Sequence, residues 1–166
     1  MINKIILDAC CGSRMFWFDR KNPDVLFCDN RVVDKMTVGR GRNARDFEVQ
    51  PDRVMDFRKM KFKNNSFQLV VFDPPHLAKA GQSSYLAQKY GLLDKENWET
   101  DIRQGFTECF RVLKPNGVLI FKWSEVEKKV SDIIKLAPYR PLFGHRSGKS
   151  QKTHWLCFMK IDNQKK

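Results

Sequence analysis

Short apolar runs alternate with one-faced helical segments along the chain. Lys4 to Leu7, Val25 to Cys28, Arg53 to Met55, Leu69 to Phe72 and Val118 to Lys122 each read as a strand. Brief apolar runs bounded by turn residues are typical of strands buried on both faces. Lys95 to Leu113 predicts the longest helix, because Trp98, Ile102, Phe106, Cys109, Phe110 and Leu113 recur every three or four residues and form one stripe. Arg14 to Lys21 predicts a short helix stopped before Pro23. Ser124 with Glu127 has capping-box spacing and predicts a helix through about Lys135, its stripe being Val126, Val130, Ile133 and Ile134. Lys114-Pro115-Asn116-Gly117 predicts a turn. Pro141 to Gly144 and Thr153 to Met159 predict two strands joined by a polar loop from His145 to Lys152. Asn30 to Gln50 has little periodicity. Leu77 to Asp94 reads as a lid carrying Tyr85 and Tyr90, and the tail from Asp162 to Lys166 is expected to fray.

This alternation predicts an α/β fold: one domain over residues 1–161, with a doubly wound, mostly parallel sheet and a C-terminal antiparallel hairpin. In such sheets ligands bind beyond the carboxyl ends of the strands. Asp8, Asp29, Asp56 and Asp73 fall just after the first four strands. A single acid in such a place is usually a loop residue or a cap. Four along one edge point to a site.

Composition narrows the setting. The net charge is +12 on 166 residues, which favours a polyanionic partner, nucleic acid first. A solubility device is the plainer reading of the same charge. The five cysteines form no C-x-x-C pair and sit mostly in apolar runs, so free thiols in a reducing cytoplasm are expected, with no disulfide and no metal site. No run approaches the roughly 20 apolar residues of a membrane span, and the start of the chain has no signal-peptide pattern.

Asp73-Pro74-Pro75-His76 follows directly on the fourth strand. Neither proline donates a backbone N–H, so the corner offers a carboxylate and carbonyls, the acceptors that a planar exocyclic amine requires. It resembles the (Asp/Asn)-Pro-Pro-aromatic motif of class I S-adenosylmethionine-dependent methyltransferases acting on nucleobase amines. His76 stands where that family has Tyr, Phe or Trp. The resemblance implies a seven-stranded Rossmann-like sheet in the order 3-2-1-4-5-7-6, with Asp73, Pro74, Pro75 and His76 as the catalytic corner. It also implies S-adenosylmethionine as cofactor. Asp8-Ala9-Cys10-Cys11-Gly12-Ser13 resembles the Asp-x-x-x-Gly-x-Gly cofactor loop, with Arg14 in place of the second glycine. The implied cofactor contacts are Asp8, Ala9, Cys10 and Gly12 from this loop, Asp29 on the ribose, and Asp56 with Phe57 on the adenine.

Two basic clusters are candidate nucleic-acid contacts: Arg40 and Arg42 (with Arg45), and Arg146 and Lys149 (with Lys152). The second lies in Gly144-His145-Arg146-Ser147-Gly148-Lys149-Ser150, which lacks the spacing of a phosphate-binding P-loop and is not followed by a helix pattern. The expected activity is methyl transfer to an exocyclic amine, adenine N6 in DNA or RNA foremost. Guanine N2 in RNA and a protein glutamine amide are the alternatives within the chemistry. A catalytically inactive nucleic-acid-binding module on the same fold, and a small-molecule N-methyltransferase, are the alternatives outside it. The chain has no room for a separate target-recognition domain, so a partner subunit is a possible source of target recognition.

Overall fold

A computed structural model of the chain describes residues 4–38, 44–79 and 85–166. Its elements, in chain order, are β1 (Ile6–Asp8), β2 (Val25–Asp29), β3 (Val33–Val38), β4 (Arg45–Val49), β5 (Arg53–Val54), β6 (Phe67–Phe72), α1 (Tyr85–Tyr90), α2 (Trp98–Val112), β7 (Leu113–Ser124), α3 (Val130–Ile134), β8 (Phe143–Ser147) and β9 (Thr153–Met159). Seven strands form one sheet in the order β5-β2-β1-β6-β7-β9-β8, and β3 with β4 forms a separate ribbon. Pairing is parallel from β5 through β7; β9 runs antiparallel to both β7 and β8. Counted in sequence within the sheet, this is the expected order 3-2-1-4-5-7-6. Among the described residues no helix is long and apolar enough to cross a membrane.

The predicted stripe of α2 explains the main core. Ile102, Phe106, Cys109 and Phe110 are buried against Val70, Phe72, Leu119 and Phe121 of β6 and β7. The Phe106 ring centroid lies 5.5 Å from that of Phe72 and 4.8 Å from that of Phe121. Each such ring gains about 1.5–3 kcal/mol from burial. Gly105 allows the close approach: a Cβ there would stand 2.5 Å from the Phe72 ring. The core therefore holds the strand that delivers Asp73 directly beneath the longest helix.

The opposite face is covered differently. Residues 14–21 form turns in place of the predicted helix. Arg14 has φ 54°, a left-handed conformation no helix residue adopts, and Asp19 bonds the Lys21 N–H through its side chain. Such local side-chain bonds compete with helix formation. Trp17 still packs on a small second cluster of Cys11, Val25 and Phe27.

Four other expectations are corrected. The unpatterned stretch Asn30 to Gln50 holds the β3–β4 ribbon, in which Phe47 and Val49 are buried in alternation with polar Asp46 and Glu48. Helix α3 begins at Val130 behind Lys129, not at Ser124, which ends β7; Glu127 instead receives the Ala78 and Lys79 N–H groups. Strand β8 extends through Ser147, which shortens the predicted loop. The tail is folded rather than frayed: Asp162–Gln164 is a 3-10 turn, and Arg140 and Lys166 tie it to residues 134–140 through backbone and side-chain bonds.

Candidate active site

Because β1, β2, β5 and β6 are parallel neighbours, their carboxyl ends share one rim. Asp8 and Asp29 end their strands, Asp56 lies just past β5, and Asp73 follows β6. A cleft opens along this rim. Of the predicted residues, Ala9, Cys10, Gly12, Asp29, Phe57, Asp73, Pro74, Pro75 and His76 line it; Asp8 and Asp56 do not. Phe16, Arg31, Lys89 and Tyr90 line it as well, and the sequence reading assigned a role there to Tyr90 alone.

Asp8 lies wholly buried at the start of the loop Ala9 to Ser13. Its Oδ2 accepts from Trp17 Nε1 at 2.7 Å and its Oδ1 from the Cys10 N–H at 3.2 Å. Burial pushes its carboxyl up to about 7, against the pull of those two bonds. Gly12 has φ 48° and an open surface beside it, so backbone rather than side chain faces the cleft there. Arg14, at the position of the family's second glycine, keeps the left-handed backbone a glycine would adopt freely, at about 1–2 kcal/mol. Its side chain leaves the cleft. It pairs with Asp52 at 2.9 Å, donates to the Gln50 carbonyl and lies 3.9 Å above the Phe27 ring.

Asp29 and Asp56 share one device, an arginine two residues on. The Asp29 carboxylate accepts from the Arg31 N–H, Nε and Nη2 at 3.0, 3.0 and 3.2 Å, and from the Gly12 N–H at 3.0 Å. Those four bonds fill a carboxylate's acceptor capacity. Asp56 accepts from the Arg58 N–H, Nε and Nη2, and Arg58 also reaches Asp101 at 3.0 Å. The Arg58 guanidinium holds the Asp56 carboxyl below its usual range. The repeated Asp-x-Arg spacing, Asp29-Asn30-Arg31 and Asp56-Phe57-Arg58, was a readable signal for both arginines.

At the Asp73-Pro74-Pro75-His76 corner Asp73 Oδ2 accepts from Lys122 Nζ at 2.5 Å. Burial pushes the Asp73 carboxyl up, and the Lys122 ammonium and His76 pull it back. His76 is pushed down by burial, which favours the neutral ring. Its ring lies 5.4 Å from Tyr90 and 6.3 Å from Trp123 by centroid. Sequence reasoning missed Lys122 as a site residue. The available signal was a lysine inside the apolar segment Val118-Leu119-Ile120-Phe121-Lys122-Trp123, two residues short of the strand's carboxyl end at Ser124.

The register of the hairpin settles where its tip lies. Ser124 at the end of β7 pairs with Thr153, and Thr153 with Ser147, so residues 148–152 stand at the same rim as Asp73. Arg146 and Lys149 thus belong to the cleft's side of the sheet, with Lys149 exposed. Arg40 and Arg42 lie outside the described residues.

No family model matches the chain, and no curated protein matches it in sequence. Solved structures do resemble it in shape. The PH0226 protein of Pyrococcus horikoshii superposes with a TM-score of 0.59 at 15% identity, over 94% of this chain and 81% of that one. A TehB-like SAM-dependent methyltransferase of Corynebacterium glutamicum gives 0.56 at 14% identity, over 97% and 82%. The 1,6-didemethyltoxoflavin-N1-methyltransferase of Burkholderia thailandensis, solved with bound 1,6-didemethyltoxoflavin and S-adenosylhomocysteine, gives 0.53 at 10% identity, over 95% and 71%. The chain has the class I methyltransferase fold. At these identities the likeness extends to the fold and no further.

Proposed function

We propose that this chain is an S-adenosylmethionine-dependent methyltransferase acting on an exocyclic amine of a nucleobase, adenine N6 in DNA or RNA foremost. One observation carries the reading: Asp73-Pro74-Pro75-His76 shares a cleft with the loop Ala9 to Ser13, at the carboxyl ends of adjacent parallel strands. That is the place where open sheets bind ligands.

The residues present fit the cofactor, with one condition. The loop backbone from Ala9 to Ser13 would hold its amino-acid end, Asp29 its ribose hydroxyls and Phe57 its adenine. Asp29 is fully engaged by Arg31 and Gly12, so the Arg31 guanidinium must yield or share when a ribose diol arrives. Bound, S-adenosylmethionine supplies a methyl group activated by a sulfonium.

The chain's own groups do the rest. Asp73 Oδ1 and the Pro74 carbonyl accept the two amine hydrogens, which turns the nitrogen lone pair out of conjugation. These fixed acceptors lie where positive charge develops, as the fixed donors of an oxyanion hole lie where negative charge does. Asp73 is also placed to take the proton the amine sheds. A neutral His76 forms a wall that does not repel a sulfonium. The basic hairpin tip, Arg146, Lys149 and Lys152, supplies phosphate contacts beside the cleft.

The test is methyl transfer from radiolabelled cofactor to DNA, RNA and protein pools, followed by digestion to identify the modified unit. Label in N6-methyladenosine or its deoxy form is the expected result; label in none of the pools overturns the proposal. A second reading is an inactive nucleic-acid-binding module on this fold. It is favoured by the cations that already occupy Asp29 and Asp73. Calorimetry with S-adenosylmethionine separates the two, since a lost pocket gives no heat of binding.

A further inference from the structure

Lys122 does not belong where it is unless Asp73 is its reason. Its strand neighbours Phe121 and Trp123 are wholly buried in the core, and the Lys122 side chain is itself only 22% exposed. A lysine that far from water needs a partner. The sheet register supplies one. Phe72 of β6 lies opposite Phe121 of β7, so the next position on each chain brings Asp73 beside Lys122. The 2.5 Å contact with Asp73 Oδ2 is the one hydrogen bond of this ammonium among the described residues. Two aromatic rings confine it further, with centroids 5.6 Å away at Phe16 and 5.7 Å away at Trp155. Trp155 pairs directly with Lys122 across β7 and β9. Asp73 Oδ1, by contrast, has no hydrogen-bond partner among the described residues, and Asp73 lines the cleft.

We propose that Lys122 is a positioning residue for the reaction assigned above: it clamps Asp73 Oδ2 and so leaves Oδ1 ionised and aimed for the target amine. This rests on the proposed methyl transfer for its purpose, though the clamp itself can be tested without it. The charged surroundings show why a clamp is needed. Asp73 faces Asp8 at the end of β1, with Asp29 of β2 further along the rim, Cys10 in the first loop and His76 in its own loop. Burial favours a protonated Asp73, whose charge in turn raises Asp8; the thiol of Cys10 is driven toward its neutral form, and His76, itself pushed toward the neutral ring, pulls on Asp73 less than Lys122 does. The Lys122 ammonium is the cation in contact that opposes that burial. A protonated Asp73 would offer a donor to an amine that needs an acceptor, so the sign of the effect is fixed.

The experiment compares Lys122→Met, Lys122→Gln and Lys122→Arg with the unaltered protein. Two quantities are read: the pH–rate profile of methyl transfer, and the carboxyl titration of Asp73 by carbon-13 NMR. Loss of a contacting opposite charge raises a carboxyl pKa by about 1–3 units. Lys122→Met and Lys122→Gln are expected to move the acid limb and the titration upward by that amount, at unchanged cofactor affinity, and Lys122→Arg to restore both. Two uncharged variants guard against one failing to fold, which far-UV circular dichroism will show. Titration and acid limb unmoved in a folded uncharged variant overturn the proposal. If the unaltered protein methylates nothing, the assigned reaction fails, and the NMR titration alone still decides the clamp.

Discussion

Four aspartates share one rim, yet they form two chemically opposite pairs. The inner pair, Asp8 and Asp73, is held up by burial, and Asp8 reaches about 7. The outer pair, Asp29 and Asp56, is each gripped by an arginine two residues on. Sequence position alone made the four look equivalent. Their environments assign them different work. Asp8 braces a loop from below, and Asp73 presents an acceptor to the cleft. Asp29 is an acceptor already in use, and Asp56 stands outside the cleft altogether. The chemistry of a carboxylate at a strand end is therefore set by what the next two residues and the neighbouring strand supply.

The sharpest break in this comparison comes at Asp73. Asp73→Ala removes the acceptor and is expected to cut methyl transfer by about 10²–10³-fold or more, the scale seen for loss of one preorganised polar group. Cofactor affinity should stay within about threefold. Full activity in that variant, measured with labelled cofactor on the best substrate pool, would remove Asp73 from the mechanism.

Asp8 tests the other half of the inner pair through stability. Its carboxyl is protonated in the folded chain up to about pH 7 but ionises near its ordinary value of 3.8 when unfolded. Between those values the folded state binds the extra proton, so stability falls as pH rises from about 4 to 7 and then levels. Each pH unit of that window is worth about 1.4 kcal/mol. Asp8→Asn cannot ionise, and should flatten this slope. Urea midpoints at pH 5 and pH 8 will check it: the variant should differ little between them, while the unaltered protein weakens by a few kcal/mol at most. Equal slopes in both proteins would show that Asp8 ionises normally in the fold.

Much of the architecture was legible because it rests on period. The stripe Trp98 to Leu113 and the apolar runs ending at Asp8, Asp29 and Asp73 pointed to the parallel sheet and to one candidate edge, while the strand order came from the family resemblance of Asp73-Pro74-Pro75-His76. What failed was chemistry at the scale of one or two residues. A left-handed Arg14 stopped a helix that the amphipathic pattern allowed. Glu127, expected as a cap, reaches across to Ala78 and Lys79 instead. The site showed the same division. The residues after each strand were found by periodicity, whereas Lys122, Arg31 and Arg58 act through contacts 49 or two positions away along the chain. The Lys122–Asp73 pair depends on a register between strands that no local pattern states.

Arg31 sharpens the outer pair. Arg31→Ala removes the guanidinium from Asp29 and keeps the two backbone bonds from Gly12 and residue 31. Leaving a nearly buried carboxylate short of its partner should lower stability by about 1–3 kcal/mol. The freed acceptor positions should tighten S-adenosylmethionine binding by about three- to tenfold, since the ligand no longer displaces the arginine. Calorimetry and thermal unfolding on the same samples read both effects. A weaker cofactor affinity would mean that Arg31 contacts the ligand itself, and Asp29 would then lose its place as the ribose acceptor.

Arg58 offers the smallest effect and the cleanest contrast. Its pair with Asp56 is more than a third exposed on both sides, at 39% and 37%. Solvent screening limits such pairs to about 0–1 kcal/mol. The Asp56 side of Arg58→Ala should therefore barely move the unfolding midpoint, and most of any shift should come from the lost contact to the better-buried Asp101. Because Asp56 lies outside the cleft while its neighbour Phe57 lines it, cofactor affinity should change less than twofold, against the several-fold gain expected at Arg31. If Arg58→Ala instead raised affinity as much as Arg31→Ala, the two Asp-x-Arg devices would be equivalent after all. The adenine amine would then be reaching Asp56 through a rearrangement of the loop that carries both residues.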